Sequence, residues 1–132
     1  MRVIVNIDVP ELAPAIDFYR AALGLTLSRT IEEDVAELTG GSSVIYLLRN
    51  PAGSHPVSAL PVERHYARHW TPVHLDFVVA DLAAVARQAL NAGARQESEC
   101  VDWRGSKCIT FSDPFGHGFC LIEFAGETYS TG

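Results

Sequence analysis

One arrangement occurs twice along the chain. An alternating apolar run, Val3, Val5, Ile7, Val9, passes through Val9-Pro10-Glu11-Leu12 into a helix-like stretch. A second run, Val73, Leu75, Phe77, Val79, passes through Val79-Ala80-Asp81-Leu82 into another. Val9 and Val79 stand 70 positions apart in a chain of 132 residues. Period-two patterning that hands over to helical patterning is a strand followed by a helix. Its return at half the chain length marks a duplicated module. With 48% hydrophobic residues the chain can bury a core, but it is short for two independent domains, so a single domain over 1–132 is expected.

In the first module, Leu12, Ile16, Tyr19 and Leu23 recur at helical spacing from Glu11 to Leu23, with Phe18 widening the stripe. Pro14 falls in the first turn, where its missing N–H costs no bond, and Gly24 ends the helix. Strands are expected near Leu25–Arg29, Val35–Leu38 and Val44–Leu48. Module one therefore reads β-α-β-β-β over 1–49. Residues 50–72 hold Pro51, Pro56, Pro61 and Pro72 without sustained periodicity, and are expected to form a linker containing at most a short helical turn. Module two, 73–126, repeats the order: strand Val73–Val79, helix Asp81–Ala92 stopped by Gly93, strands near Ala94–Asp102, Lys107–Phe111 and Phe119–Phe124, then a tail at 127–132. Asp113-Pro114-Phe115-Gly116 has turn chemistry, with Pro fixing φ and Gly supplying a positive φ.

Composition narrows the function classes. A net charge of −6 and a pI near 5.2 leave no basic stripe for nucleic acid. No apolar run reaches membrane-spanning length and no signal-like segment opens the chain, so a cytoplasmic location without membrane contact is expected. Cys100, Cys108 and Cys120 are odd in number and lack CxxC spacing, so reduced thiols are expected.

The second face of each first strand carries the polar groups. Ile4, Asn6 and Asp8 line it in module one, and His74, Asp76 and Val78 in module two. Polar residues there suit an open cup holding water or a small-molecule ligand. Tyr46, Trp70 and Trp103 are candidates for stacking on a flat ligand, or for ordinary burial. His74 and Asp76 are candidates for proton transfer. Cys120 and Cys108 read as small strand hydrophobes, with Cys120 also a pocket candidate. His65 and His69 would share a helical face but lack an intervening glutamate, and read as solvated linker or lid.

The ordered set Val9-Pro10-Glu11-Leu12, Asp17-Phe18-Tyr19, Leu23-Gly24-Leu25, Val79-Ala80-Asp81-Leu82 and Asp113-Pro114-x-Gly116 resembles the vicinal oxygen chelate superfamily over nearly the whole chain. That superfamily includes glyoxalase I, extradiol dioxygenases, fosfomycin-resistance enzymes and bleomycin-resistance proteins. The resemblance implies an α+β fold of two paired βαβββ modules forming a cup-shaped mixed sheet, usually in a homodimer. It further implies metal-ligand points at Ile4, His74, near Tyr46 and at Cys120. Of these, His74 is a standard ligand, Ile4 offers no donor atom and Tyr46 is an uncommon one. Glu123 falls on the strand face opposite Cys120. Two functional expectations follow. One is a metal-free small-molecule-binding protein whose pocket uses Asn6, Asp8, Tyr46, His74, Asp76, Trp103 and Cys120. The other is a lyase, isomerase or dioxygenase dependent on a divalent Zn, Ni, Mn or Fe ion held through His74. A metal-free enzyme using His74 with Asp76 is a variant of the first.

Overall fold

The computed structural model describes residues 1–125, so the expected tail at 127–132 lies outside it. The chain divides into two compact units, Met1–Ala67 and Arg68 onward, a division that falls inside the expected linker. Among the described residues no helix is long and apolar enough to cross a membrane.

Unit 1 contains β1 (Val5–Val9), α1 (Leu12–Leu23), β2 (Thr26–Ile31), β3 (Val35–Thr39) and β4 (Ile45–Arg49). Its sheet runs β1-β4-β3-β2, with β1 parallel to β4 and the other pairs antiparallel. Gly24 adopts φ 67° and its N–H closes on Arg20 O, so the glycine stop is present. The buried stripe of α1 is Ala15, Phe18, Tyr19 and Ala22, so the expected Tyr19 and Phe18 are buried and the stripe is rotated away from Leu12, Ile16 and Leu23. Two alanines at the contact let the backbone approach the sheet, and the larger Leu12, Ile16 and Leu23 flank the seam half-buried. Residues 50–67 form turns and bends without a helical turn. They are tied to the end of β1: Asp8 accepts from Asn50 Nδ2 and from Arg64 Nε, both at 2.8 Å.

Unit 2 contains β5 (Leu75–Val78), α2 (Leu82–Ala92), β6 (Arg95–Gln96), β7 (Val101–Trp103), β8 (Ser106–Ser112) and β9 (Gly118–Glu123). Its sheet runs β5-β9-β8-β6, with β7 also on β8 and β5 parallel to β9. The single strand expected at Ala94–Asp102 is two short pieces. The break has a local cause: Ser98 Oγ accepts from Thr110 N and donates to Glu99 O, diverting the ladder between them. Asp81 caps α2 by accepting from Ala84 N at 3.1 Å, and Gly93 ends it at φ 113°. The helix-side core stacks Phe111 on Phe119 at 5.8 Å, with Phe77 edge-on to Phe119, over buried Leu121 and Ile109. Both units are thus βαβββ in plan, the second strand of unit 2 being broken into β6 and β7.

Candidate functional site

Strand alternation decides which groups can meet in unit 2. Phe77, Phe119 and Leu121 face α2, so Asp76, Cys120 and Thr110, which are direct cross-strand partners, occupy the opposite face. Glu123 belongs to the helix side, as the alternation requires: its Oε1 accepts from Leu82 N at 3.0 Å and caps α2 alongside Asp81. It is therefore committed away from Cys120. A pocket of about 280 Å³ beside Asp81, Leu82, Lys107 and Glu123 lies on that helix side, and its two carboxylates serve the helix start.

On the open face, His74 Nε2 lies 3.1 Å from Asp76 Oδ1. Donor atoms of His74, Asp76 and Cys120 all lie within 4.8 Å of one another. His74 and Asp76 are accessible, whereas Cys120 is buried with its Sγ 3.4 Å from Thr110 Oγ1. Burial, followed by its contact with the Cys120 thiol, pushes the neighbouring Cys108 thiol up to about 12.

Residues 68–74 fold back over this face. The Trp70 ring lies 4.7 Å from the His74 ring and is half exposed, at 50%. Arg68 stands over the same indole at 5.6 Å and forms a two-pronged bond to Glu97, 2.6 Å to each oxygen. That pairing holds the Glu97 carboxyl below the usual carboxylate range, chiefly through the Arg68 hydrogen bonds. The chain beneath is Gly118, where an added Cβ would come within 2.6 Å of Arg68 Nη2 and 2.9 Å of two Trp70 ring carbons. The adjoining turn is built as its sequence requires. Buried Asp113 accepts from Phe115 N and His117 N through Oδ1, and its Oδ2 lies 2.7 Å from His117 Nδ1.

Unit 1 treats its matching positions differently. Asn6 is exposed on β1 opposite Tyr46, and Asp8 is engaged by Asn50 and Arg64. Tyr46 OH donates to Glu37 Oε2 at 2.6 Å, while Ser28 and Arg29 donate to the same carboxylate. These bonds, that of Tyr46 foremost, lower the pKa of Glu37. Trp103 closes β7, and its side chain lies outside what the structure describes. Of the expected pocket residues the fold brings His74, Asp76 and Cys120 together in unit 2, and Asn6, Asp8 and Tyr46 on adjacent strands of unit 1. Sequence reasoning missed Glu37, Arg68 and the role of Gly118. A glycine at the very start of the last apolar strand was the one available signal, since strand glycines often mark a close approach.

Residues 4–122 match the Glyoxalase-like domain family. The chain belongs to that family. Membership agrees with the vicinal oxygen chelate resemblance and with the βαβββ plan. The anthracycline biosynthesis protein DauV of Streptomyces sp. (strain C5) is 29% identical over 120 residues, or 90% of this chain and 40% of that protein. The chain thus spans less than half the length of that curated relative. Two solved structures share the fold. The fosfomycin resistance protein FosX of Listeria monocytogenes superposes with TM-score 0.71 at 13% identity, covering 95% of this chain and 93% of that one. A glyoxalase-related enzyme of Fulvimarina pelagi gives 0.74 at 12%, covering 94% and 88%.

The ligand points implied by the glyoxalase-like resemblance can be tested on these donors. Ile4 has none, and the Tyr46 hydroxyl is engaged with Glu37. In unit 2, His74, Asp76 and Cys120 supply one nitrogen, one carboxylate and one sulfur within reach of a single ion, a set of the size a divalent metal takes from protein.

Proposed function

We propose that the chain is a small-molecule-binding protein of the glyoxalase-like family, with an incomplete set of the metal ligands implied at Ile4, His74, Tyr46 and Cys120, and that its ligand is a flat, oxygen-bearing aromatic molecule. The observation that carries this reading is Trp70. A half-exposed indole beside His74, held in place by Arg68 over a backbone that lacks a Cβ, is a ready surface for a fused ring. The anthracycline biosynthesis role in the name of DauV supports the same ligand class, because anthracyclines are flat fused-ring compounds with neighbouring oxygens. His74 and Asp76 then offer a hydrogen-bonding pair to those oxygens. As with other proteins of this superfamily, the working assembly is a homodimer.

The test uses a vicinal dihydroxyanthraquinone as probe and its own visible absorption as readout, since the chain has only two tryptophans and the Trp70→Ala variant must remain measurable. A saturable spectral shift that weakens about two- to tenfold in affinity in Trp70→Ala is expected, from roughly 0.5–1.5 kcal/mol of ring stacking. Absence of a saturable shift, or equal affinity in Trp70→Ala, refutes the reading.

The donor group His74, Asp76 and Cys120 favours a second reading, a lyase, isomerase or dioxygenase that uses a divalent ion. Such an ion, when bound, polarises two adjacent substrate oxygens. In that case His74 and Asp76 hold it, and Trp70 orients the substrate ring. Stoichiometric metal retention abolished by His74→Ala is the expected result, and retention indifferent to His74 removes this reading.

A further inference from the structure

We infer that Glu97 is a positioning residue for the ligand surface: acting through Arg68, it fixes the Trp70 indole over Gly118 and beside His74, so that the stacking face is set before a ligand arrives. The inference rests on the reading of Trp70 as a ligand surface and names what organises that surface.

The restraint starts in the sheet. Glu97 directly follows β6, and its N–H donates to Thr110 O at 2.8 Å, which ties its backbone to β8. Its carboxylate receives Arg68 Nε and Nη2, 2.6 Å to each oxygen. The two side chains are only 28% and 24% exposed, so water competes with this contact less than with an ordinary surface pair. The third guanidinium nitrogen, Nη1, donates to His69 O. With all three nitrogens engaged inside the protein, Arg68 serves as a brace and not as a receptor for an incoming anion. Its Cζ stands 5.6 Å from the centre of the Trp70 ring, where a cation is attracted to the indole face. On the other side of Trp70, Thr71 Oγ1 donates to Val73 O at 2.6 Å and fixes the approach to His74 and β5.

The register says where the braced ring lies. Gly118 and Cys120 are two residues apart on β9 and share one face. Arg68 Nη2 and two Trp70 ring carbons crowd the place a Cβ of Gly118 would take. The indole therefore sits one alternation step along β9 from Cys120, with the His74 ring 4.7 Å away. A half-exposed tryptophan without a brace samples several rotamers, and a ligand that stacks on it must select one. Fixing a side chain in advance removes that cost, which corresponds to about two- to tenfold in affinity.

The test uses the full chain in a Trp103→Phe background, where Trp70 is the sole tryptophan. The tryptophan band of the near-ultraviolet circular dichroism spectrum reads the fixed indole without ligand, and visible absorption of a vicinal dihydroxyanthraquinone reads affinity. Glu97→Gln should weaken the band and lower probe affinity about two- to tenfold. In an Arg68→Ala background the same substitution should change neither, because Glu97 acts only through Arg68. Glu99→Gln, which removes the same charge two residues away, is the control and should leave both readouts at their starting values. An unchanged band in Glu97→Gln overturns the inference, as does an equal further loss of affinity in the Arg68→Ala background. Probe binding with equal affinity in Glu97→Gln also overturns it and leaves the ligand reading standing, whereas absence of binding to the unsubstituted chain overturns both.

Discussion

Gly118→Ala is the smallest change that tests whether the 68–74 segment is fitted to the sheet or merely rests on it. The backbone at Gly118 is not in the left-handed region, so alanine brings no conformational strain of its own. Replacing glycine where the backbone is tolerant stabilises by about 0.4–1 kcal/mol through the unfolded chain. Against that, the new Cβ would meet Arg68 Nη2 at 2.6 Å and Trp70 Cε3 and Cζ3 at 2.9 Å. Arg68 can move only by loosening its bonds to Glu97, and an indole ring has no flexible end to retract. Relief therefore requires the segment to retreat, an overpacking cost of about 1–3 kcal/mol. The net expectation is a loss of about 1–2 kcal/mol, or roughly 4–10 °C in Tm for a chain of this size. Both tryptophans lie in unit 2, so tryptophan emission during urea unfolding reads the unit that carries the substitution. Gly41→Ala is the control, because its added Cβ meets nothing closer than 3.8 Å. A Gly118→Ala protein as stable as wild type, with unchanged native emission, would refute the close approach of Trp70 to β9.

Two further outcomes follow from the same unit. Glu97→Gln should cost about 1 kcal/mol at neutral pH, toward the upper end for surface pairs because the Arg68 contact is two-pronged. The Glu97 carboxyl is lowered in the folded state, so its contribution is present above its unfolded pKa and is lost as pH falls through the folded one. The stability gap between wild type and variant should therefore narrow as the pH falls into the acid range, and a gap that does not narrow contradicts the ion pair. Alkylation of the native chain at mildly alkaline pH should modify the exposed Cys100 first, the half-buried Cys108 more slowly and the buried Cys120 only on unfolding. Mass spectrometry showing Cys108 labelled as fast as Cys100 would contradict its raised thiol pKa.

Legibility from sequence varied with the range of the signal. The two helices end at Gly24 and Gly93, as expected, because a C-terminal glycine acts locally through its own φ. The opposite facing of Glu123 and Cys120 was equally readable, since alternation is a property of one strand. The buried stripe of α1 was legible at Phe18 and Tyr19 but not at Ala15 and Ala22, which are fully buried where size gave no signal of depth. The break at Ser98 depends on a hydroxyl reaching Thr110, twelve residues away, which no period reveals. The Glu37 cluster was invisible for the same reason, as its donors Ser28, Arg29 and Tyr46 come from two neighbouring strands. The role of Arg68 had no local signal because its partner Glu97 is 29 positions away.

The duplication also explains where chemistry can reside. Two copies of one plan offer two sheet faces, and the copies have used their polar groups differently. In unit 1, the Glu37 carboxylate takes three donors, and Asp8 is held between Asn50 and Arg64. Groups satisfied in this way hold their own scaffold, and a ligand drawing on them would have to break bonds of 2.6–2.8 Å first. In unit 2, the helix-side carboxylates Asp81 and Glu123 cap α2, and Glu97 takes Arg68. His74 and Asp76 have mainly each other, at 3.1 Å, and both remain accessible. A weak, accessible pair next to an indole and the Cys120 thiol is the arrangement an incoming group can rearrange at least cost. Unit 2 is therefore where a substitution should alter binding without altering the fold. His74→Ala and Asp76→Ala should leave unfolding within about 0.5 kcal/mol of wild type.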